Sequence, residues 1–275
     1  MGQPELLLVG GALLAGAGVA VARGLRAERR RLRERLEAAA GELQRLQTSF
    51  ARFAPSAVVE GIVARGRPTD AERKDVTVLF ADLVGFTPLS EDLSPEVLVA
   101  VLNEYFGRMS RAIGEHRGHV SKFIGDGLMA LFGALEPNPW QANDAVHAAL
   151  AMQRALAAYN RELAGRGLPA LRLGVGIHRG PAIAGVIGSH ELMEFTVIGQ
   201  TVNLASRIER LTRIHRADIL VSAAVRPALD PRFVLEEFPP LDVRGVSEPV
   251  VTYAVRGFRE EGESTEACIR APRVR

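Results

Sequence analysis

The chain has 275 residues, of which 47% are apolar and 24% are charged, and its formal net charge is +2. These proportions exclude a wholly disordered protein and are typical of one folded domain with additional segments. The single cysteine, Cys268, excludes a disulfide framework and a cysteine-rich metal site.

The N-terminal region contains a long uncharged stretch. Residues 6–22 read LLLVGGALLAGAGVAVA, which is at the short end of what spans a bilayer, where about 20 apolar residues are typical. Seven arginines follow between residues 23 and 35. By the positive-inside rule, this charge predicts a single-pass anchor over residues 1–24 in the plasma or inner membrane, with the following domain in the cytoplasm. The alternative is a Gly/Ala-rich helix that only associates with a membrane or a partner.

Residues 25–53 carry apolar side chains at heptad spacing. One seam is formed by Leu25, Leu32, Ala39, Leu46 and Phe53, and the second by Leu36, Leu43 and Phe50. The pattern predicts a short parallel coiled coil; the alternative is one amphipathic helix packed on its own domain. Residues 54–74 are predicted to be a connector, and the polar residues 258–275 a disordered tail.

The compact domain is predicted over residues 75–257, where strands and helices alternate. The predicted elements are a buried strand at 76–83, a helix capped by Ser94 and Pro95, a hairpin around Gly125-Asp126-Gly127, a helix at 140–165, a strand at 171–177, a second hairpin, a helix from Thr201, and short strands at 218–221 and 250–255. This order predicts an α+β fold. We expect a ferredoxin-like βαββαβ sandwich with a mainly antiparallel sheet and helices on one face.

Two carboxylates stand where apolar strands stop. Asp82 closes the first strand, and Asp126 lies in the turn of the first hairpin. Two carboxylates brought together repel unless a cation bridges them, and Mg²⁺ is commonly bound by one or two carboxylates plus substrate phosphates. After Asp82, a turn containing Gly85, Phe86 and Thr87 can direct backbone N–H groups at phosphate oxygens. Each motif by itself is also compatible with ordinary turn chemistry.

Three further polar side chains stand out against their apolar neighbours. Lys122 lies in the strand before Asp126, where it either snorkels to the surface or offers a fixed positive charge to a cleft. Asn203 and Arg207 are four residues apart and share one face of a predicted helix. Because arginine suits bidentate phosphate contacts, this pair can clamp a ribose and a phosphate; the alternative is an ordinary solvated helix face.

Five segments of the domain together resemble the class III nucleotide cyclases, the family of most adenylate and guanylate cyclases. In family order they are VTVLFADLVGFTPLSE, LNEYFGRM, GHVSKFIGDGLMALFG, LRLGVGIHRGPAIAGVIGS and FTVIGQTVNLASRIE. The resemblance covers residues 76–255. It implies an adenylate cyclase that converts ATP to 3′,5′-cyclic AMP and pyrophosphate for signalling, working as a homodimer with composite active sites.

The resemblance also implies roles for individual residues. Asp82 and Asp126, assisted by the Leu83 carbonyl, match the family's ligands for two Mg²⁺ or Mn²⁺ ions. Asn203 matches the residue that positions the ribose, and Arg207 the one that stabilises charge at the α-phosphate. In this family these two residues come from the partner chain.

Base choice is implied by Lys122 and Thr196, a pair that is similar to the subclass with bicarbonate-responsive adenylate cyclases. Lysine can donate to a ring nitrogen of adenine and the threonine oxygen can accept from its amino group, whereas guanine reverses this pattern. Arg244 is the basic residue in a stretch where many relatives carry a phosphate-binding lysine, so it is either a phosphate ligand or a surface residue. The alternatives for the domain are a non-catalytic nucleotide-binding dimerisation or sensor module and a cyclase of guanylate specificity. No nucleic-acid partner is expected.

Overall fold

The computed structural model describes residues 28–43, 45, 71–189, 193–246 and 248–259, without the side chains of residues 87–89. The chain separates into two units, residues 1–59 and 60–275. In the first unit, residues 28–43 form a helix, and the heptad residues Leu32, Leu36 and Leu43 are each more than half exposed. This part of the predicted coiled coil is therefore helical, while its pairing with a second chain stays a prediction.

The predicted anchor over residues 1–24, residues 54–70 of the predicted connector and residues 260–275 of the predicted tail lie outside the described residues. Residues 72–74 of the predicted connector and Phe258 of the predicted tail instead lie in strands. Within the part of the chain that the structure describes, no helix combines the length and the apolar character needed to cross a membrane. The anchor stays a prediction from the sequence.

The second unit alternates strands and helices in nearly the order that the sequence predicts. The helices are α1 (Phe86–Asp92), α2 (Pro95–Glu115), α3 (Gln141–Gly165) and α4 (Gln200–His215), and a 3₁₀ turn spans Arg226–Ala228. The strands are β1 (Glu72–Leu83), β2 (His119–Ile124), β3 (Gly127–Phe132), β4 (Leu173–Gly188), β5 (Met193–Ile198), β6 (Ile219–Ser222), β7 (Phe233–Leu241) and β8 (Val250–Phe258). Helix α1 and strand β7 were not predicted. Pro239 and Pro240 interrupt the strand pattern of β7, which the structure tolerates because β7 is an edge strand.

Local sequence signals position the elements that carry the site. Helix α2 begins directly after Ser94, whose hydroxyl accepts a hydrogen bond from the Val97 N–H at 3.5 Å, and Pro95 occupies its first position. Between β2 and β3, Gly125 adopts φ +61°, a left-handed conformation that glycine reaches without a steric penalty. The predicted helix start and hairpin are both confirmed.

The sheet has the order β2-β3-β1-β4-β6-β8-β7, with β5 paired to β4 outside this path. The pairs among β2, β3, β1 and β4 are antiparallel, and β4 pairs with β6 in parallel. The order of the first four strands, with α2 and α3 as the connections, matches the predicted βαββαβ arrangement. Strand β4 is 16 residues long; its first part pairs with β1 and β6, and its second part pairs with β1 and β5.

Helices pack on both faces of the sheet, so the expectation of helices on one face was wrong. Helices α2 and α3 share a core with Val175 and Ile177 of β4, whereas α4 packs on the other face through Ile208 and Leu211. Gly174 and Gly176 alternate with these apolar residues in β4, and a Cβ built at Gly176 would lie 2.1 Å from the backbone nitrogen of Glu209. The absence of side chains at these two positions lets α4 lie directly on the strand.

Replacing Gly176 by alanine is expected to lower the free energy of unfolding by about 2–3 kcal/mol, because overpacking forces the helix backbone away from the strand. Urea-induced unfolding followed by circular dichroism measures the change. The matched control is Gly107→Ala in α2, where an added Cβ meets nothing within 4 Å. Alanine there is expected to stabilise the helix by up to about 1 kcal/mol. Similar unfolding curves for the two variants would contradict the close approach of α4.

Candidate active site

The two aspartates singled out in the sequence lie together at one end of β1. Asp82 is the penultimate residue of this strand, and Ala81 lies opposite Leu128 of β3. A Cβ built on the preceding residue of β3, Gly127, would lie 2.8 Å from Asp82 Oδ1. The glycine therefore makes room for the Asp82 carboxylate, and Asp126 directly precedes it in the β2–β3 turn. The structure brings both carboxylates to one edge, and their role as metal ligands stays a prediction.

The environment of Asp126 suits a divalent cation. Burial and then the negative charge of Asp82 raise the pKa of Asp126, and backbone hydrogen bonds, including one to Leu83, partly offset this. A cation between the two carboxylates removes their repulsion. In the described part of the chain, no three or more His, Cys, Asp or Glu side chains are grouped so as to hold a metal. The donor set therefore fits an ion whose coordination is completed by substrate phosphates and water, as is usual for Mg²⁺.

Two charged residues of α4 that were not predicted from the sequence complete this end of the sheet. Arg213 Nη2 donates to Asp82 Oδ2 at 2.5 Å, and Nη1 donates to Glu209 Oε1 at 2.7 Å. The Glu209 side chain is only 7% exposed. Burial, opposed by the positive charge of Arg213, raises the pKa of Glu209 to about 7. The available sequence signal was the spacing of four between Glu209 and Arg213, at which opposite charges pair on a helix.

Lys122 is held by a carboxylate that was also not predicted. Its Nζ lies 2.9 Å from Oε1 and 3.0 Å from Oε2 of Glu194 on β5. The adjacent Ser121 hydroxyl donates to the Phe195 carbonyl oxygen at 3.2 Å and lies 3.4 Å from Thr196 Oγ1. Lys122 and Thr196 are therefore neighbours through Ser121, although β2 and β5 are not paired in the sheet. The Lys122 ammonium has three N–H donors, so its ion pair with Glu194 leaves donors for a ligand.

Asn203 and Arg207 lie on α4, ten and six residues before Arg213. These separations correspond to about 15 Å and about 9 Å along the helix axis. No hydrogen bond or ion pair between described residues joins either side chain to Asp82 or Asp126. The Arg207 guanidinium instead lies against the loop that carries the exposed Arg244, since a Cβ built at Gly245 would lie 3.0 Å from Arg207 Nη2.

The residues expected to face phosphate oxygens begin a helix. Gly85, with φ +73°, precedes α1, which starts at Phe86 and includes Thr87. Backbone N–H groups at a helix start have no partner within the helix. The segment directly follows Asp82 and Leu83, so these N–H groups lie close in sequence to the Asp82 carboxylate. Phosphate binding by Gly85, Phe86 and Thr87 stays a prediction.

Comparison with known proteins identifies the family. The sequence profile described as the adenylate and guanylate cyclase catalytic domain matches residues 69–257, which is more than half of the chain. The chain belongs to this family, the class III nucleotide cyclases. An adenylate cyclase of Anabaena cylindrica is 36% identical over 198 residues, which cover 69% of this cyclase chain and 38% of that protein. Adenylate cyclase 1 of Rhizobium meliloti is 33% identical over 221 residues, covering 80% of this chain and 33% of that protein.

The cyclase chain therefore spans only about a third of the length of these two relatives. Two solved structures share its fold. The guanylyl cyclase Cya2 has a TM-score of 0.66 at 37% identity, and the adenylyl cyclase CyaB from P. aeruginosa has a TM-score of 0.65 at 31% identity. In both cases the likeness covers 70% of this chain and 98% of the other. The predicted cyclase catalytic-domain fold is confirmed, and the fold is common to structures named for either activity.

Proposed function

We propose that this cyclase is an adenylate cyclase, which converts ATP to 3′,5′-cyclic AMP and pyrophosphate at composite sites of a homodimer with two Mg²⁺ or Mn²⁺ ions per site. The observation that carries the proposal is the meeting of Asp82 and Asp126 at the end of β1, next to the start of α1. Two relatives that share 36% and 33% identity are named adenylate cyclases.

In the proposed reaction, the ribose 3′-oxygen forms a bond to the α-phosphorus, the bond from that phosphorus to the leaving pyrophosphate breaks, and the hydroxyl proton is lost. Asp82 and Asp126 would hold the two ions, with the Leu83 carbonyl assisting. Bound divalent ions supply charge neutralisation for the triphosphate and acidify the 3′-hydroxyl. Arg207 stabilises the negative charge that grows at the α-phosphate, and Asn203 orients the ribose. Arg244, in the loop against which Arg207 packs, adds positive charge for the phosphates.

The choice of ATP over GTP rests on the neighbouring Lys122 and Thr196. The ion pair with Glu194 already restricts the Lys122 side chain. Less conformational entropy is therefore lost when the Lys122 ammonium binds a base. Lys122 then donates to an adenine ring nitrogen, and Thr196 accepts from the adenine amino group. Guanine has a ring N–H where adenine has an acceptor nitrogen, so the Lys122 ammonium would face another donor instead of an acceptor.

A homodimer is supported by the distribution of the site residues and of apolar surface. One chain does not join Asn203 or Arg207 to the two aspartates, so a second chain has to supply them for the proposed site. Exposed apolar side chains on β2, β4 and β5 offer the surface that dimerisation would cover; they are Phe123, Ile124, Ile183, Met193 and Ile198.

The first test is product formation by the purified full chain with ATP and GTP in parallel, in Mg²⁺ or in Mn²⁺. We expect cyclic AMP from ATP and little cyclic GMP from GTP. Predominant cyclic GMP would instead assign guanylate specificity and overturn the roles of Lys122 and Thr196. No product from a dimeric preparation with either nucleotide would favour the non-catalytic sensor module.

We also propose that residues 1–24 anchor the enzyme in the plasma or inner membrane, with the cyclase domain in the cytoplasm. The support is the uncharged run over residues 6–22 and the arginines that follow it. In fractionated cells, the full chain is expected in the membrane pellet after an alkaline wash, and a chain lacking residues 1–24 in the supernatant. Release of the full chain by the alkaline wash would contradict a spanning segment.

A further inference from the structure

Arg213 makes a contact at the proposed metal site that the reaction described above does not use. Its guanidinium bridges two carboxylates from different elements, Asp82 at the end of β1 and Glu209 on its own helix. The contact between Nη2 and Asp82 Oδ2 is a charge-assisted hydrogen bond. The geometry points to Arg213 as a placeholder cation, meaning a cation that pairs with Asp82 while the proposed metal site is empty. Arg213 then has to release Asp82 before a divalent ion binds there. This inference rests on the proposed metal role of Asp82.

The first step of the argument is that Arg213 and a metal ion compete for one oxygen. Mg²⁺ lies about 2.1 Å from a carboxylate oxygen and requires a nearly complete octahedral shell. The Arg213 guanidinium nitrogen, 2.5 Å from Asp82 Oδ2, fills the space where the ion would bind this oxygen. Its positive charge would also repel the ion. The other carboxylate oxygen, Oδ1, faces the Gly127 backbone, which limits approach from that side.

The second step is that Arg213 can leave Asp82 and remain paired. Its Nη1 contact with Glu209 is separate from its Nη2 contact with Asp82. Glu209 is nearly fully buried, and its pairing with Arg213 offsets the cost of burying its charge. The side chains of Asp82 and Arg213 are 34% and 36% exposed, so solvent weakens their pair and makes its release easy. Glu209 thus tethers Arg213 beside the site whether or not it holds Asp82.

The experiment is a Mn²⁺ titration of the purified full chain without nucleotide, with free Mn²⁺ measured by electron paramagnetic resonance. An exposed ion pair contributes up to about 1 kcal/mol, so Arg213→Met is expected to bind Mn²⁺ about threefold to fivefold more tightly than the unchanged chain. Arg213→Lys keeps the charge and is expected to stay close to the unchanged chain. Arg210→Met removes the same charge from an exposed position of the same helix and controls for net charge.

Two additional variants keep the result interpretable. The pair Glu209→Gln with Arg213→Met avoids leaving a buried carboxylate without its cation, and it is expected to show the same tightening if Arg213→Met alone folds poorly. In an Asp82→Asn background, Arg213→Met is expected to change nothing. The placeholder role would be overturned, and the metal site kept, if Mn²⁺ binding still depended on Asp82 but was unchanged or weaker in two proteins. These are the Arg213→Met single variant and its combination with Glu209→Gln. Mn²⁺ binding that is the same with and without the Asp82 carboxylate would instead overturn the proposed metal site.

Discussion

Asp82→Asn and Asp126→Asn are each expected to lower cyclic AMP formation by about 1,000-fold or more, because several kcal/mol of transition-state charge stabilisation would be lost with the proposed metal ions. Asparagine keeps the size of the side chain, so the fold should survive. Arg213 loses a partner when Asp82 is replaced, but their pair is partly exposed and contributes little to stability. The loss should therefore appear in turnover and not in the unfolding curve.

Turnover of purified full-length variants with Mg²⁺ and ATP measures this effect. The matched control is Asp75→Asn, which replaces an aspartate of the same strand that is also paired with an arginine, Arg179, at 2.8 Å. Asp75 lies at the other end of β1, so this variant is expected to keep nearly full activity. If Asp82→Asn or Asp126→Asn were as active as Asp75→Asn, the metal assignment would be wrong.

The second large effect concerns the proposal that each active site is built from two chains. Asp82→Ala and Arg207→Ala chains are each expected to be inactive alone and to recover activity when they are mixed. In a heterodimer of the two, one site has lost both residues, and the other combines the intact Asp82 of one chain with the intact Arg207 of its partner. Random mixing in equal amounts makes half of the dimers mixed, so recovery should approach about a quarter of normal activity.

The control for this experiment is a mixture of two variants whose substituted residues are both contributed to a site by the same chain. Asp82→Ala and Asp126→Ala chains give heterodimers in which each site lacks one carboxylate, so no recovery is expected. Activity of each mixture is measured after denaturation and refolding together, which ensures exchange of subunits. Equal recovery in both mixtures, or none in either, would argue against a site built from two chains.

The sequence predicted the elements whose signals are local. The cap at Ser94 and Pro95 located the long helix α2, and Gly125 located the turn that holds Asp126. The carboxylates could be placed together because both lie where apolar strands stop. The sequence did not predict the face of the sheet on which α4 packs. Gly174 and Gly176 alternate with apolar residues in β4, and this strand pattern is compatible with a helix on either face.

The residues that were missed are those whose partners are distant in the sequence. Glu194 meets Lys122 across 72 positions, and Arg213 meets Asp82 across 131. A charged residue on an amphipathic helix or a strand usually faces solvent. The sequence therefore offered no reason to select Glu194 or Arg213, because their partners are known only from the folded structure. The spacing of Glu209 and Arg213 was visible, but the burial of Glu209 depends on the strand beneath it.

Helix α4 is uninterrupted from Gln200 to His215, and it carries Asn203 and Arg207 toward its start and Arg213 near its end. Insertion of one residue between Arg207 and Arg213 would rotate one group relative to the other by about 100° and move it by about 1.5 Å. Insertions or deletions within this helix should therefore be far less tolerated than changes of length in the loop between α3 and β4. The continuous helix thus fixes the interval between these side chains, and a substitution changes their identity while leaving that interval unchanged.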